Sequence, residues 1–447
     1  MENNHSNKLK RKDAPVVASI FLFMLLLSMG GLLSWVLPKT KVSEIEKRAL
    51  TPLPAFSART FFAGAYTDSL DLYYADNFPF RDSFVDFSSW VKDRFGWSKD
   101  VRIYATHSEI EPAIDSSAVA ADSVMVGNGT VSADSAQNKP AHSILIYKGA
   151  GFQRFSGSTV AVKDYAKTVN EYKKELGDSI NVFCMVAPSA IDFYLPLETK
   201  TEKNLEGPNI QGLYGSLDSG VFAVDAYSKI ADHQKEYLYF KTDHHWTARG
   251  AYYAYRAFCE SAGLIPYELS QLRRSVRKNF VGSLYGITRD ARLKENPDSL
   301  ESFRLPIQTK TYRYPKPALD SVVMSPLFVE MTNYQMFLGG DWPLVHIRSE
   351  LGNGRRVLVI KDSFGNAVCP FLALHFEDVF VVDYRSFNYN LVDFARKNKI
   401  TDLFFIHSTF IVNTAYTARR EAYLMRTWRK APDAVLDNKM EEMRDRE

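Results

Sequence analysis

The chain reads Val357-Leu358-Val359-Ile360-Lys361-Asp362-Ser363-Phe364-Gly365-Asn366 where an apolar run changes into a helical pattern. The run predicts a strand buried on both faces, and Asp-Ser follows it directly. A helix starting after Ser363 places its hydroxyl at the carboxyl edge of a sheet, where open α/β sheets bind ligands. The free N–H groups of that helix could stabilise a developing oxyanion. The alternative stays open that Asp362 or Ser363 only caps the helix, a position that favours both residue types.

Strand and helix patterns alternate along the sequence on the N- and C-terminal sides of this stretch. Short apolar runs predict strands at residues 144–147, 181–187, 221–224, 356–360, 379–382 and 403–406. Helical spacing of apolar residues predicts helices at residues 160–176, 246–262, 364–375 and 391–397. Alternating βα units favour a parallel sheet with helices on both faces, so the predicted fold class is α/β. The Gly-x-Ser-x-Gly elbow of α/β-hydrolases is absent, which disfavours that fold.

A second polar motif, Lys241-Thr242-Asp243-His244-His245-Trp246-Thr247, precedes a predicted helix. A serine nucleophile needs a base, and the base needs a carboxylate that fixes its tautomer and orientation. Asp243 and His245 are two residues apart, so an extended segment would project both side chains to the same side. Two alternatives stay open, a metal site and helix capping by Asp243 or Thr247. We expect no metal, because adjacent histidines do not easily face one ion.

The N-terminus of the 447-residue chain combines a basic segment with a long apolar one. Residues 1–13 contain four cations, and residues 14–37 carry no charge. Residues 16–37 are long enough to cross a hydrocarbon core of ~30 Å as a helix. Basic flanks stay in the cytoplasm, so we expect a single-pass anchor and an extracytoplasmic C-terminal domain, periplasmic or at the cell surface. The alternative is a cleaved signal peptide, whose apolar region is usually shorter, about 7–15 residues.

Composition divides the remaining sequence. Residues 38–105 are predicted as a tether and an N-terminal helical region, with a helical pattern at 65–95 interrupted at residues 77–82. Residues 106–140 are rich in Ser, Ala, Asp, Val and Gly, which predicts a low-complexity, disordered loop. Residues 141–430 form the predicted catalytic domain and residues 431–447 a charged tail. The formal net charge of +3 and the lack of a nucleic-acid motif argue against a nucleic-acid partner.

The two polar motifs resemble those of the DHHW family, whose name spells Asp243-His244-His245-Trp246. That family is similar to the alginate O-acetylation proteins of the AlgJ/AlgX group, and both belong with the SGNH hydrolase-like superfamily. Weaker matches are residues 77–82, Phe280-x-Gly282-Ser283-Leu284-Tyr285, Phe337-Leu338-Gly339-Gly340 and Asp383-Tyr384-Arg385. The resemblance implies an SGNH-like α/β fold.

The resemblance also implies roles for individual residues. Ser363 would be the nucleophile, His245 the general base and Asp243 its partner, whereas His244 falls at a variable position and is not implied to be catalytic. The Gly and Asn blocks that complete an SGNH oxyanion hole have no clear match. The candidate oxyanion donors are the backbone N–H of Ser363, Asn366, Gly339 and Gly340.

Three further residues are candidates for substrate contact. Arg385 follows a predicted strand and could meet an anionic sugar, although an ion pair with Asp383 is an equal alternative. Tyr285 and Trp246 could stack on a sugar ring, although buried aromatic packing is the default. No metal and no cofactor are expected.

The resemblance implies an O-acetyltransferase that acts on an exported or cell-surface polysaccharide through an acyl-serine. An acetylesterase with the same triad is one alternative, because only the exclusion of water separates the two. A non-catalytic polysaccharide-binding or assembly component is another. An extracytoplasmic acetyltransferase cannot reach cytoplasmic acetyl-CoA, so we expect a polytopic membrane-bound O-acyltransferase as the partner that supplies acetyl groups.

Overall fold

The computed structural model describes residues 3–37, 39, 42–43, 48–94, 101–106, 142–196, 205–319 and 321–430. The chain divides into two compact units, Met1–Ser98 and Lys99–Glu447. Almost all of the predicted low-complexity loop, residues 106–140, and the whole predicted tail, residues 431–447, lie outside the described residues.

The first unit is helical. Its elements are α1 (Asn3–Val36), β1 (Val42–Ser43), β2 (Arg48–Ala49), α2 (Ala58–Phe62), α3 (Ala65–Asn77) and α4 (Arg81–Arg94). Within α1, the 19 residues Val16–Ser34 have a mean hydropathy of 2.5 and are apolar and long enough to cross a membrane. The predicted apolar N-terminal helix is confirmed, and by length and composition it fits either an anchor or a signal sequence. The predicted interruption at residues 77–82 is also confirmed, because α3 ends and α4 begins there.

The second unit contains the sheets. Its strands are β3 (Val101–Thr106), β4 (His142–Tyr147), β5 (Ala150–Gln153), β6 (Asn181–Ala187), β7 (Val221–Val224), β8 (Arg273–Phe280), β9 (Asp298–Arg304), β10 (Thr309–Tyr314), β11 (Val323–Met324), β12 (Leu344–Ser349), β13 (Arg356–Lys361), β14 (Asp378–Asp383) and β15 (Asp402–Ser408). Its helices are α5 (Thr159–Leu176), α6 (Ile191–Tyr194), α7 (Glu206–Tyr214), α8 (Ala226–Asp232), α9 (Ala248–Ser261), α10 (Ser283–Thr288), α11 (Ala291–Lys294), α12 (Gly365–Leu372), α13 (Leu391–Lys397), α14 (Thr409–Val412) and α15 (Ala415–Arg426). Short 3-10 helices span Leu269–Gln271 and Tyr334–Met336.

Eight strands form the central sheet, in the order β11-β10-β12-β14-β13-β15-β6-β7. The five strands from β14 to β7 are parallel, as predicted. The sheet as a whole is mixed, however, because β12, β10 and β11 extend it antiparallel beyond β14. The prediction of a parallel sheet missed these strands, since they lack the continuous apolar runs of the parallel core.

Smaller antiparallel sheets complete the unit, β3-β4-β5 and β8-β9. Residues 101–105, predicted as part of the N-terminal region, belong to the second unit because β3 pairs with β4.

Helices cover both faces of the central sheet, as predicted. On β13, Val357 and Val359 face a core shared with α9 and α12. Leu358 and Ile360 face the opposite core, which α5, α7, α13 and α15 cover. Burying each such side chain contributes about 1.5–3 kcal/mol, so β13 is held from both faces of the sheet.

The carboxyl ends of the parallel strands meet at one edge of the sheet. Lys361, the last residue of β13, pairs in register with Asp383 of β14 and Ile406 of β15. Ser363 follows β13 by two residues, so the fold places it at this edge, where open α/β sheets bind ligands.

Candidate active site

Three side chains from two distant parts of the second unit form a continuous hydrogen-bonded chain. The Nε2 atom of His245 lies 2.7 Å from the Oγ of Ser363, which is 118 residues away in sequence. The Nδ1 atom of His245 lies 2.6 Å from Oδ1 of Asp243. All three side chains are buried. A hydroxyl, an imidazole and a carboxylate in this order have the geometry of a serine nucleophile with its base and orienting acid.

Ser363 lies in a tight turn between β13 and α12. Helix α12 begins at Gly365, and its N-cap residue, Phe364, makes no side-chain cap. The preceding Asp362 accepts hydrogen bonds from the backbone N–H groups of Phe364 (2.9 Å) and Ser408 (2.6 Å). Asp362 therefore fixes the turn, and the Ser363 hydroxyl lies within hydrogen-bonding distance of Nε2 of His245.

His245 lies on a bent loop between α8 and α9. A bridge between Tyr239 and Trp246 closes the loop, and Thr247 caps α9 by accepting from the Gly250 N–H (3.3 Å). The expected extended segment is not observed: residues 241–245 are bent. Asp243 Oδ1 also accepts from the His245 backbone N–H (3.1 Å), so the bend itself brings carboxylate and imidazole together.

The position of the Asp243 carboxylate depends on the absence of a side chain at Gly282. The Ser283 backbone N–H donates to Oδ2 of Asp243 (2.9 Å). A Cβ added to Gly282 would lie 2.3 Å from the Cβ of Asp243, so a larger residue cannot occupy position 282 without displacing Asp243. Burial acts to raise the pKa of Asp243, but the charge and hydrogen bond of His245 hold that pKa well below its ordinary value. The carboxylate is therefore ionised and able to stabilise a protonated His245.

Tyr334 contacts both His245 and Ser363, and sequence reasoning missed it. Its ring stacks on the His245 imidazole at 3.7 Å between centroids and 5° between planes. Its hydroxyl donates to the backbone carbonyl of Ser363 (3.1 Å). Tyr334 belongs to a short 3-10 helix in an irregular segment before β12, where no periodic pattern identifies it.

Two aromatic substrate candidates are buried packing residues instead. Trp246 is fully buried, and its Nε1–H donates to the Phe364 carbonyl (3.0 Å). This hydrogen bond helps to hold the turn that contains Ser363. Tyr285 is buried in a small core with Ile144, Ile146 and Leu284. Neither ring is available to stack on a sugar, so both predictions are wrong, and the default of aromatic burial applies.

The third substrate candidate, Arg385, takes part in a buried ionic network. Its guanidinium binds Asp383 (2.6 Å) and Asp341 (3.0 Å). The buried Nζ of Lys361 binds the same two carboxylates, at 2.7 Å to Asp341 and 3.1 Å to Asp383. The ion-pair alternative for Arg385 is therefore observed. Gly365 makes room for this network, because a Cβ there would lie 2.6 Å from the Cβ of Lys361.

The structure excludes one of the four candidate oxyanion donors and leaves the others untested. The Gly340 N–H donates to the Phe337 carbonyl (3.2 Å), so the structure contradicts its assignment as an oxyanion donor. Asn366 donates from Nδ2 to Asp341 (2.8 Å), and Gly339 adopts a φ of 77° in the adjoining turn. The backbone N–H of Asn366 donates to the Ser363 carbonyl (3.2 Å), so only its side chain remains a candidate. The backbone N–H of Ser363, the side chain of Asn366, and Gly339 stay predictions as oxyanion donors.

Asp243, His244 and His245 also offer ligand atoms within 4.8 Å of one another, the spacing of a metal site. The Asp243 and His245 atoms that face each other are joined by the 2.6 Å hydrogen bond, and His244 Nδ1 lies 2.8 Å from the Ser283 hydroxyl. A metal would have to break these contacts, so the donor set fits a triad better than a metal centre.

Comparison with known proteins adds the family and the fold. The family model described as DHHW protein matches residues 109–382, which include both polar motifs. The structure of a DHHW family protein from Eubacterium siraeum DSM 15702 is 32% identical and has a TM-score of 0.57, with 65% of this chain and 96% of that chain covered. No curated protein is significantly similar to this chain in sequence.

Two more distant structures also match over most of their own length. Bacillus cereus PatB1, solved with a sulfonyl adduct, is 18% identical, with a TM-score of 0.52 over 61% of this chain and 97% of that chain. The O-acetyltransferase domain of Pseudomonas putida AlgJ is 12% identical, with a TM-score of 0.37 over 63% of this chain and 98% of that chain. The predicted α/β fold class, with a mostly parallel central sheet, is confirmed.

Proposed function

We propose a function from one premise, that this chain belongs to the DHHW family of proteins. The chain is an O-acetyltransferase that acts on an exported or cell-surface polysaccharide, with Ser363 as nucleophile, His245 as general base and Asp243 as its partner. The acetyl group and the glycan rest on the resemblance of the Asp243–Trp246 and Lys361–Asn366 motifs to alginate O-acetylation proteins.

The chemistry takes two steps. In the first, the Ser363 oxygen attacks the acyl carbonyl of the donor, and its proton passes to Nε2 of His245. The bond between the acyl carbon and the leaving group then breaks, and the leaving group takes the proton from His245. In the second, a sugar hydroxyl attacks the acyl-serine, His245 takes its proton, and the bond between the acyl carbon and the serine oxygen breaks. His245 then returns the proton to Ser363. The ionised Asp243 fixes the tautomer and stabilises the imidazolium in both steps.

A single observation carries this proposal, the unbroken line of contacts from Asp243 through His245 to Ser363 at 2.6 and 2.7 Å. A capping serine and a structural histidine would not need both contacts. A serine without a base would be a weak nucleophile, and a base without an orienting carboxylate would be free to take the wrong tautomer.

The compartment and the partner are part of the same proposal. The apolar Val16–Ser34 segment and the basic residues before it support a single-pass anchor with the second unit outside the cytoplasm. A polytopic membrane-bound O-acyltransferase would then deliver acetyl groups, and the anchor would keep the enzyme in the same membrane as this partner.

The experiment is acetyl transfer by the full chain in detergent. An activated acetyl ester is the donor, and an oligosaccharide is the acceptor. Acetylated oligosaccharide formed by the wild type and lost in Ser363→Ala supports a transferase. Release of acetate alone, with no acetylated sugar at any acceptor concentration, points to the esterase alternative. Turnover unchanged in Ser363→Ala contradicts both.

A further inference from the structure

A buried carboxylate, that of Asp298 at the start of β9, binds the loop that leads to Asp243. Its Oδ1 atom accepts hydrogen bonds from the backbone N–H of Lys241 (2.9 Å) and from the hydroxyl of Tyr237. Its Oδ2 atom accepts from the backbone N–H (2.7 Å) and from the hydroxyl (2.5 Å) of Thr242. Both oxygens of Asp298 therefore hold the backbone that immediately precedes Asp243.

Thr242 links Asp298 to the segment that positions the Asp243 carboxylate. The Thr242 hydroxyl donates to Asp298 and accepts from the backbone N–H of Gly282 (2.9 Å). The next residue, Ser283, donates its backbone N–H to Oδ2 of Asp243 (2.9 Å). Thr242 and Asp243 are thus hydrogen-bonded to two consecutive residues of one stretch of backbone.

The pairing of β8 with β9 connects Asp298 to the same stretch a second time. Asp298 pairs in register with Phe280, the last residue of β8, and Gly282 follows two residues later. Asp298 is therefore joined by its side chain to the loop of Asp243 and by its backbone to the strand that leads to Gly282 and Ser283. The relative position of the two segments depends on this one residue.

Both oxygens of Asp298 have to be acceptors. Each faces a backbone N–H, from Lys241 at Oδ1 and from Thr242 at Oδ2, and an N–H group can only donate. Burial raises the pKa of Asp298, and these N–H groups counteract the rise because they stabilise the ionised form. An asparagine at position 298 would turn its NH₂ group towards one of the two N–H groups in either orientation. Asn therefore matches the side chain in size but not in hydrogen bonding.

We propose that Asp298 is a positioning residue of the proposed active site, which places Asp243 and thereby orients His245 towards Ser363. The contacts from Asp243 to His245 and from His245 to Ser363 are 2.6 and 2.7 Å, so a shift of the loop alters their alignment. A displacement of about 1 Å can slow a reaction about a hundredfold. The inference rests on the proposed function, because it concerns the alignment of the same base with the same serine.

The test measures how fast Ser363 reacts when Asp298 is replaced. The full chain in detergent is treated with phenylmethylsulfonyl fluoride, and the adduct on the Ser363 peptide is quantified over time by mass spectrometry. Asp298→Asn should slow the labelling about ten- to hundredfold, because it displaces the base. Thr242→Val keeps the shape of the side chain but removes the hydroxyl that joins Asp298 to Gly282, and it should slow the labelling by a smaller factor.

A double mutant separates positioning of the base from a general loosening of the site. In a His245→Ala background there is no base to position, so adding Asp298→Asn should change the labelling rate of Ser363 by less than about twofold. A residue with a merely structural role would slow the labelling by the same factor in both backgrounds, because its effect would not pass through His245.

The matched control is Asp378→Asn. Asp378 is a buried carboxylate like Asp298, and it binds His346 (2.7 Å) and Arg356 (3.2 Å). It begins β14, at the end of the parallel strands opposite to the edge where Ser363 lies. Its replacement should lower the midpoint of thermal unfolding, followed by circular dichroism, and leave the labelling of Ser363 unchanged.

Each outcome bears on a distinct statement. No adduct at Ser363 in the wild type, or labelling that does not depend on His245, overturns the proposed function. Labelling that depends on His245 but is as fast in Asp298→Asn as in the wild type overturns only the positioning role. Equal slowing with and without His245, or equal slowing by Asp378→Asn, also overturns that role. If Asp298→Asn does not fold, Thr242→Val decides, since its loss must likewise disappear in the His245→Ala background.

Discussion

The aromatic ring of Tyr334 lies parallel to the imidazole of His245, 3.7 Å away, while its hydroxyl donates to the carbonyl of Ser363. One side chain thus fixes the plane of the proposed base and the backbone of the proposed nucleophile. The imidazole is held on its other side by His244, at 3.8 Å. With Tyr334 and His244 packed against it, the His245 imidazole should keep its orientation towards the Ser363 hydroxyl when it gains a proton. Such preorganisation of the reacting groups favours acyl transfer.

Tyr334 substitutions should separate these two contacts. Tyr334→Phe loses only the hydrogen bond to Ser363, and we expect acylation to slow about two- to tenfold. Tyr334→Leu loses the stacked ring as well, so it should be slower still, because the ring holds the plane of the His245 imidazole. Stopped-flow release of 4-nitrophenol measures the acylation rate of both variants. Equal rates in the two variants would show that the ring has no effect on His245.

Gly282→Ala should inactivate the site although it replaces none of the three residues of the proposed triad. The added Cβ would stand 2.3 Å from the Cβ of Asp243 and 2.6 Å from its Oδ2, so Asp243 must move away from His245. We expect a loss of about a hundredfold or more in the acylation rate, towards the ten-thousandfold loss known for the replacement of a triad carboxylate. Gly212→Ala in α7 is the matched control, since a Cβ there meets nothing within 4 Å. Wild-type activity in Gly282→Ala would mean that Asp243 does not need its observed position.

Lys361→Met should destabilise the fold strongly. Lys361 is buried between Asp341 and Asp383, and its loss would leave these carboxylates with only Arg385 as a cationic partner among the described residues. Removing one member of a buried ion pair costs about 3–5 kcal/mol of unfolding free energy. Lys229→Met breaks the more exposed pair with Glu260 and should cost about 0–1 kcal/mol. Urea denaturation followed by circular dichroism compares the two, and similar losses would contradict a stabilising network.

The pH dependence of stability should report on Asp243. Its pKa in the folded protein lies below that in the unfolded chain, about 3.9, so its contribution is complete above that pH and is lost as the pH falls through the folded pKa. The difference in unfolding free energy between wild type and Asp243→Asn should therefore be largest near pH 6 and shrink below about pH 4. Asp218→Asn removes an exposed carboxylate and is the control for the loss of one negative charge. A constant difference from pH 6 to 3 would mean that His245 does not stabilise the ionised carboxylate.

The sequence predicted those parts of the fold that depend on continuous apolar patterns. The buried strands β6, β13, β14 and β15 are uninterrupted apolar runs, and the helices between them have clear spacing, so the parallel core was readable. Strands β10 and β12 mix apolar residues with Thr, Lys, Arg and His and bury part of that polar surface, so no simple pattern identifies them.

The candidate site was predictable only where a motif carries the chemistry. Asp243, His245 and Ser363 lie in two short motifs, and the structure brings all three together. Tyr334 lies in an irregular segment, and the need for a glycine at position 282 arises from a contact across 39 residues. Trp246 was misassigned because sequence alone does not distinguish an aromatic ring that supports a site from one that lines it.

The most direct test of the account asks whether Ser363 reacts as a nucleophile activated by His245. The full chain is treated with phenylmethylsulfonyl fluoride, and peptides are analysed by mass spectrometry over time. The account predicts a sulfonyl adduct on the Ser363 peptide of the wild type, much slower labelling in His245→Ala, and none at that position in Ser363→Ala. Labelling of Ser363 at the same rate with and without His245, or no adduct at Ser363 in the wild type, would contradict it.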